Sequence, residues 1–187
     1  MVVIVCHCVL VTANCSVRVQ SYSAYGSCRD PAYVSYGYVK LNGVAVWQGS
    51  WCGNYSNLRG VNTVLIDPFT CTKLDSRRFD THASSAAATA LSTYLHVVNH
   101  GTIIVGVSGD AARDALNNAL STLRQMRVEV ADLQQRGSFA FIAQKDFSAK
   151  TVFRKVLTEI ESYRQAAYVN AIITGTQTVC IGMYGCV

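Results

Sequence analysis

The 187-residue chain holds only two prolines, two tryptophans and three methionines, and charged residues make up 14% of it. So little proline leaves no room for a Pro-rich linker, and no repeat or low-complexity tract breaks the sequence. Scarce charge beside 50% hydrophobic residues excludes an intrinsically disordered or nucleic-acid-coating chain. Also missing is any apolar run near the roughly 20 residues that a membrane-spanning helix needs, so no membrane span is expected. The net charge is +5, but the Lys and Arg residues are scattered and form no phosphate-tracking stripe. That leaves a mild preference for anionic partners and no nucleic-acid partner. The length suits one domain.

Cysteine is well represented, with eight residues. The apolar start (Val2, Val3, Ile4, Val5, Val9, Leu10, Val11) fits the h-region of a signal peptide over 1–13. Val11 at −3 and Ala13 at −1 suit the peptidase, and Ala13 with Cys15 is the alternative. Cleavage after Ala13 removes Cys6 and Cys8 and leaves an even set as disulfide candidates: Cys15, Cys28, Cys52, Cys71, Cys180 and Cys186. Spacing does not choose among the fifteen ways six cysteines can pair; a Cys28–Cys52 staple across one hairpin is the working expectation. Two N-x-S sequons occur, at Asn14 and Asn54, and Asn54, in a polar loop, is the glycosylation candidate. Leader, even cysteines and sequon together point to a secreted, extracellular glycoprotein.

Apolar–polar alternation predicts strands at 17–22, 33–41 and 44–47, the last two joined by Asn42-Gly43, a strong hairpin signal. Residues 61–67 and 72–79 read as a second hairpin. The Ala-rich stretch 85–98 has helical spacing, with Ser84 as N-cap and Gly101 past its end. The β-branched run 102–107 predicts a central strand covered on both faces, and 110–126 an amphipathic helix. Strands are expected at 128–130 and 138–144, a helix at 149–167 and a strand at 168–174. The fold class is therefore α+β, with compact sandwich-like sheets and two or three helices. One domain spans 16–174, and a Cys-containing tail spans 175–187.

The blocks Arg59-Gly60-Val61-Asn62, Arg78-Phe79-Asp80-Thr81-His82-Ala83-Ser84-Ser85, Gly101-Thr102, Asp110-Ala111-Ala112 and Arg136-Gly137-Ser138-Phe139-Ala140-Phe141-Ile142, taken in order and spacing, resemble the ILEI/PANDER family over about 17–174. The resemblance implies a lectin-like fold of β-sheets with a few helices. That fold occurs in secreted cytokine-like proteins, in modules of hyaluronan-handling cell-surface proteins, and in the stem of the enzyme that adds N-acetylglucosamine to O-mannose glycans. The stem module binds β-linked N-acetylglucosamine through an Asp and an Arg that match Asp110 and Arg136. The sequence departs from the usual R-D-[ST]-W pattern: Gly137 replaces the second carboxylate and Phe139 the Trp, which weakens stacking on a sugar face.

From the residues alone, Asp110 and Arg136 can grip vicinal hydroxyls, or Asp110 can cap a helix while Arg136 forms a surface ion pair. Catalytic patterns fail one by one. Gly106-Val107-Ser108-Gly109-Asp110 lacks the second Gly of a nucleophile elbow and the Lys of a phosphate loop. Cys6-His7-Cys8 has no partner pair at zinc spacing, and His96 with His100 lacks a third ligand. Asp80 and His82 have no nucleophile nearby, and Asp80 is read as satisfying backbone donors at the turn into the helix. Tyr22, Tyr25, Tyr33, Tyr36 and Tyr38 suit recognition or packing equally well. The expectation is a non-catalytic domain without cofactor or metal. Its partner is a glycan or glycoprotein, held by Asp110 and Arg136 over an apolar floor such as Phe139; the alternative is a cytokine-like ligand of a cell-surface receptor.

Overall fold

The Asn42-Gly43 turn has φ of 48° and 87°, the left-handed pair that matches the twist of a tight hairpin. It joins β2 (Tyr36–Leu41) to β3 (Val44–Ser50), with Leu41 directly across from Val44. The computed structural model describes residues 7–21, 36–50, 58–109, 112–135, 137–145, 153–157 and 167–181. β1 (His7–Gln20) pairs with β2 on one side and, along its whole length, with β9 (Tyr168–Ile181) on the other, giving a four-stranded sheet β3-β2-β1-β9.

A second hairpin, β4 (Gly60–Asp67) and β5 (Thr72–Phe79), turns on Asp67, whose carboxylate accepts from the backbone of Phe69 at 2.7 Å and Thr70 at 3.2 Å. With β6 (Ile103–Gly109), β7 (Ser138–Gln144) and β8 (Phe153–Leu157) it forms a five-stranded sheet, β5-β4-β6-β7-β8, antiparallel throughout. Among the described residues, two helices, α1 (Ser85–His96) and α2 (Asn117–Gln125), make the fold α+β.

The five-stranded sheet is the middle layer. Its alternate residues Val64, Ile66, Ile103, Val105, Val107, Ala140 and Ile142 pack against Val17, Val19, Val39 and Val169 of the other sheet. The intervening residues Val61, Leu65, Ile104, Phe139 and Phe141 pack under Leu91, Leu95, Leu116 and Leu123 on the helix side. Being covered on both faces is why 61–66 and 103–107 read as nearly unbroken apolar runs. Each fully buried Phe or Ile contributes roughly 1.5–3 kcal/mol. Gly106 makes room for one of them: a Cβ there would lie 2.0 Å from the ring of Phe141, its partner across the ladder.

A Cys15–Cys71 disulfide joins β1 to the β4–β5 turn and so ties the two sheets together. Cys28, Cys52 and Cys186 lie outside the described residues. Residues 7–13 and 175–181, at the ends of the expected leader and tail, run in β1 and β9, where Cys8 stands across from Cys180.

Three sequence expectations are corrected. The stretch 149–167 contains strand β8 rather than a helix spanning it: five residues whose apolar spacing suits either structure are taken by the free edge of β7. Residues 128–130 form no strand, yet Val128 and Val130 are buried, so their alternation reflects packing without a ladder partner. The second helix starts at Asn117, not 110, because the residues before it bond across to the β5–α1 turn: Ala115 N–H donates to Thr81 O at 2.8 Å and Thr81 Oγ1 to Ala112 O at 2.7 Å.

Candidate functional site

The start of β4, the ends of β5 and β6 and the start of β7 meet at one end of the five-stranded sheet. Val61 stands across from Phe79 and Gly60 across from Gly109. Gly60 has φ +96°, and a Cβ there would lie 2.1 Å from Phe79 O, so only glycine fits this approach. It brings Arg59 against Asp80. Arg59 donates Nε to Oδ1 at 3.0 Å and Nη2 to Oδ2 at 2.9 Å, and Arg78 Nη2 donates to the same Oδ2 at 3.1 Å.

Asp80 also accepts from Ala83 N–H at 3.2 Å, bearing out its expected role at the turn into α1. Burial works to raise the Asp80 pKa, but the Arg59 bond, the Ala83 bond and the charges of Arg59 and Arg78 outweigh it and hold the carboxyl below its usual range. His82 does not pair with Asp80; its Nδ1 lies against the carboxylate of Asp114. Ser84 caps α1 by accepting from Ala86 N–H at 3.1 Å.

Asp110 and Arg136 lie outside the described residues, as does Asn54. Their flanks are described. Ser108 Oγ accepts from Phe139 N–H at 2.8 Å, and the β6–β7 register, last paired at Val107 and Ala140, sets the residues flanking Asp110 and Arg136 at the same sheet end as Arg59 and Asp80. Phe139 corrects the expected apolar floor: it is fully buried on the helix side, its ring stacked against Phe141 at 6.2 Å between centroids, and offers no face to a ligand. Ser108 is buried too, with its oxygen occupied.

Of the tyrosines singled out, Tyr38 is half-buried on the four-stranded sheet with Lys40 Nζ 4.7 Å from its ring centroid. Tyr22, Tyr25 and Tyr33 lie outside the described residues, and no side-chain position is described for Tyr36. Among the described residues, no three His, Cys, Asp or Glu side chains gather closely enough to hold a metal, and no helix is long and apolar enough to cross a membrane.

A groove of about 790 Å3 opens between α1 and β5, lined by Leu74, Phe79, Ala90, Tyr94 and Val97 among others. Leu74 and Val97 are well exposed at its edges. Tyr94 forms its polar seam: its hydroxyl donates to Asp75 Oδ2 at 3.0 Å while the Arg77 guanidinium lies 4.6 Å from its ring centroid. Burial, then the Asp75 bond and charge, push the Tyr94 phenol well above its ordinary range.

Sequence reasoning missed the Arg59–Asp80–Arg78 bridge. Its residues sit in two of the blocks that carried the resemblance, and a charged residue on each side of a β-hairpin's open end was the available signal.

Two stacked antiparallel sheets, helices on one outer face and a polar rim at one sheet end define an α+β, two-sheet domain. Within it, residues 59–147 match the family described as Interleukin-like EMT inducer (ILEI). The match begins at Arg59, takes in β4 to β7 and both helices, and contains every charged residue of the rim described above. No curated protein matches the chain.

Proposed function

We propose that this is a secreted, non-catalytic carbohydrate-binding domain that holds a β-linked N-acetylglucosamine or related glycan between Asp110 and Arg136. The observation that carries the reading is the β6–β7 register, because the residues next to each of the two reach the same sheet end. A carboxylate accepting and a guanidinium donating from adjacent strand ends suit two neighbouring sugar hydroxyls. No chemical step is assigned, and no cofactor or metal is invoked. A secreted location is supported by the Cys15–Cys71 disulfide, a bond that persists outside the reducing cytosol. With Phe139 buried in the core, the grip is polar and shallow, so binding is weak and reversible.

A second reading, a cytokine-like ligand of a receptor protein, is favoured by the groove beside α1, whose exposed Leu74 and Val97 suit a protein partner. A glycan array with the oxidised full chain, repeated for Asp110→Ala and Arg136→Ala, separates the two. Sugar signal lost in both variants supports the carbohydrate reading; silence on every glycan while the chain still binds cells supports the receptor reading.

A further inference from the structure

We infer that the outer face of the four-stranded sheet, centred on Arg18, Lys40, Tyr168 and Ile172, is a docking surface for an anionic lipid layer. The proposed sugar grip departs from β6 and β7 of the other sheet, so the two sites are separate and neither needs the other.

Register assembles the face. Cys15, Val17 and Val19 of β1 are buried against the middle layer, which sends the residues between them outward. Across the strands the outward residues line up in rows. Tyr38, Gln20 and Tyr168 stand side by side in one, Lys40, Arg18 and Asn170 in the next, and Ile172 follows in the third, across from Ser16. With neighbouring strands about 4.8 Å apart and alternate residues about 7 Å apart, three rows on three strands make a patch of roughly 10 by 13 Å. Lys40 Nζ lies 4.7 Å from the Tyr38 ring centroid. Burial and then the nearness of Tyr168 hold the Tyr38 phenol above its ordinary range while Arg18 opposes them, so these groups share one neighbourhood.

The charge of this face has one sign. The chain has 11 Asp and Glu residues, yet β1, β2, β3 and β9 hold none. Arg18 and Lys40 therefore meet no carboxylate from their own sheet, and the patch complements an anionic surface. A second copy of the chain is a poor occupant, because it would set the same two cations against each other.

Apolar reach on the same patch selects lipid over a soluble anion. Ile172 is 68% exposed and Tyr168 46%, and a soluble anion would engage the charges and leave both in water. A lipid surface uses both kinds of side chain. The Ile enters below the headgroups, tyrosine rings sit at headgroup depth with their hydroxyls wet, and the Arg and Lys stems reach the lipid anions. One such attraction alone holds a protein only weakly on a bilayer, and stable attachment takes two together.

The test sediments the oxidised full chain with vesicles of phosphatidylcholine alone and of the same lipid with about a quarter phosphatidylserine. The variants are Arg18→Gln/Lys40→Gln and Ile172→Ser, with far-UV circular dichroism confirming that each keeps the β-rich fold. Anionic vesicles are expected to bind about twentyfold tighter than neutral ones, as two basic residues near a charged surface give. Added salt erases that advantage in the unaltered chain, a readout that needs no substitution. The double variant loses it as well, and Ile172→Ser weakens binding about fivefold. Equal binding to both vesicles overturns the inference, as does no binding to either, or binding to anionic vesicles that both variants leave intact. Loss in the double variant with Ile172→Ser unchanged also overturns it and gives the face to a soluble acidic partner.

Discussion

Removing the Cys15–Cys71 bond by the double change Cys15→Ala/Cys71→Ala measures how strongly the two sheets depend on their covalent tie. The bond spans 56 residues of sequence. In the chain-entropy account, closing a loop of that size restricts the unfolded chain by about 4 kcal/mol at 25 °C. Cys15 is fully buried and Cys71 packs against the inter-sheet core, so truncating both also leaves a small void in the same direction. Domains have roughly 5–15 kcal/mol in all, so the variant should remain folded but with a large share of its stability gone. For a chain of this length that is a fall in Tm of roughly 8–16 °C. The assay is thermal and urea unfolding of wild type and variant side by side, both oxidised, with far-UV circular dichroism confirming the β-rich fold. A loss below about 1 kcal/mol, roughly 3 °C, would refute the view that this bond holds the sheets together.

Further outcomes follow from the core and the rim. Gly106→Ala sets a Cβ 2.0 Å from the Phe141 ring and should cost about 1–3 kcal/mol by overpacking; chemical denaturation checks it, and pairing it with Phe141→Leu should recover part of the loss. Asp80 titrates below its unfolded value, so its contribution to stability is present above the unfolded pKa of about 4 and is lost as pH falls through the lower folded value. Urea midpoints for wild type and Asp80→Asn should therefore differ at pH 6 and converge toward pH 2–3; a constant gap across that range would count against the bridge.

Much of this architecture could be read from the residues. Asn42-Gly43 set one hairpin because its turn demands left-handed backbone at two successive positions, and strands 72–79 and 138–144 were expected at the bounds observed. Failures came where tertiary partners decided. The apolar residues near 153–157 fit a helix by spacing, but the open edge of β7 recruits them as a strand. The residues before α2 are drawn out of helix by bonds to Thr81. At the site, the resemblance named Asp110 and Arg136, whose described neighbours Gly109 and Gly137 flank the β6–β7 sheet end. It could not say that Phe139 faces inward, because on a strand buried on both sides its apolar character looks the same whichever face it takes. The Arg59–Asp80 fork stayed hidden because its partners are 21 residues apart and meet only through the β4–β5 register.

The central claim is tested most directly by titrating the oxidised full chain with N-acetylglucosamine disaccharide, following amide shifts by NMR, for wild type, Asp110→Ala and Arg136→Ala. The account predicts saturable binding with Kd on the order of 0.1–1 mM, shifts centred on Gly109 and Gly137, and at least a tenfold loss in each variant. Saturation that is unchanged in both variants, or shifts confined to the groove beside α1, would contradict it.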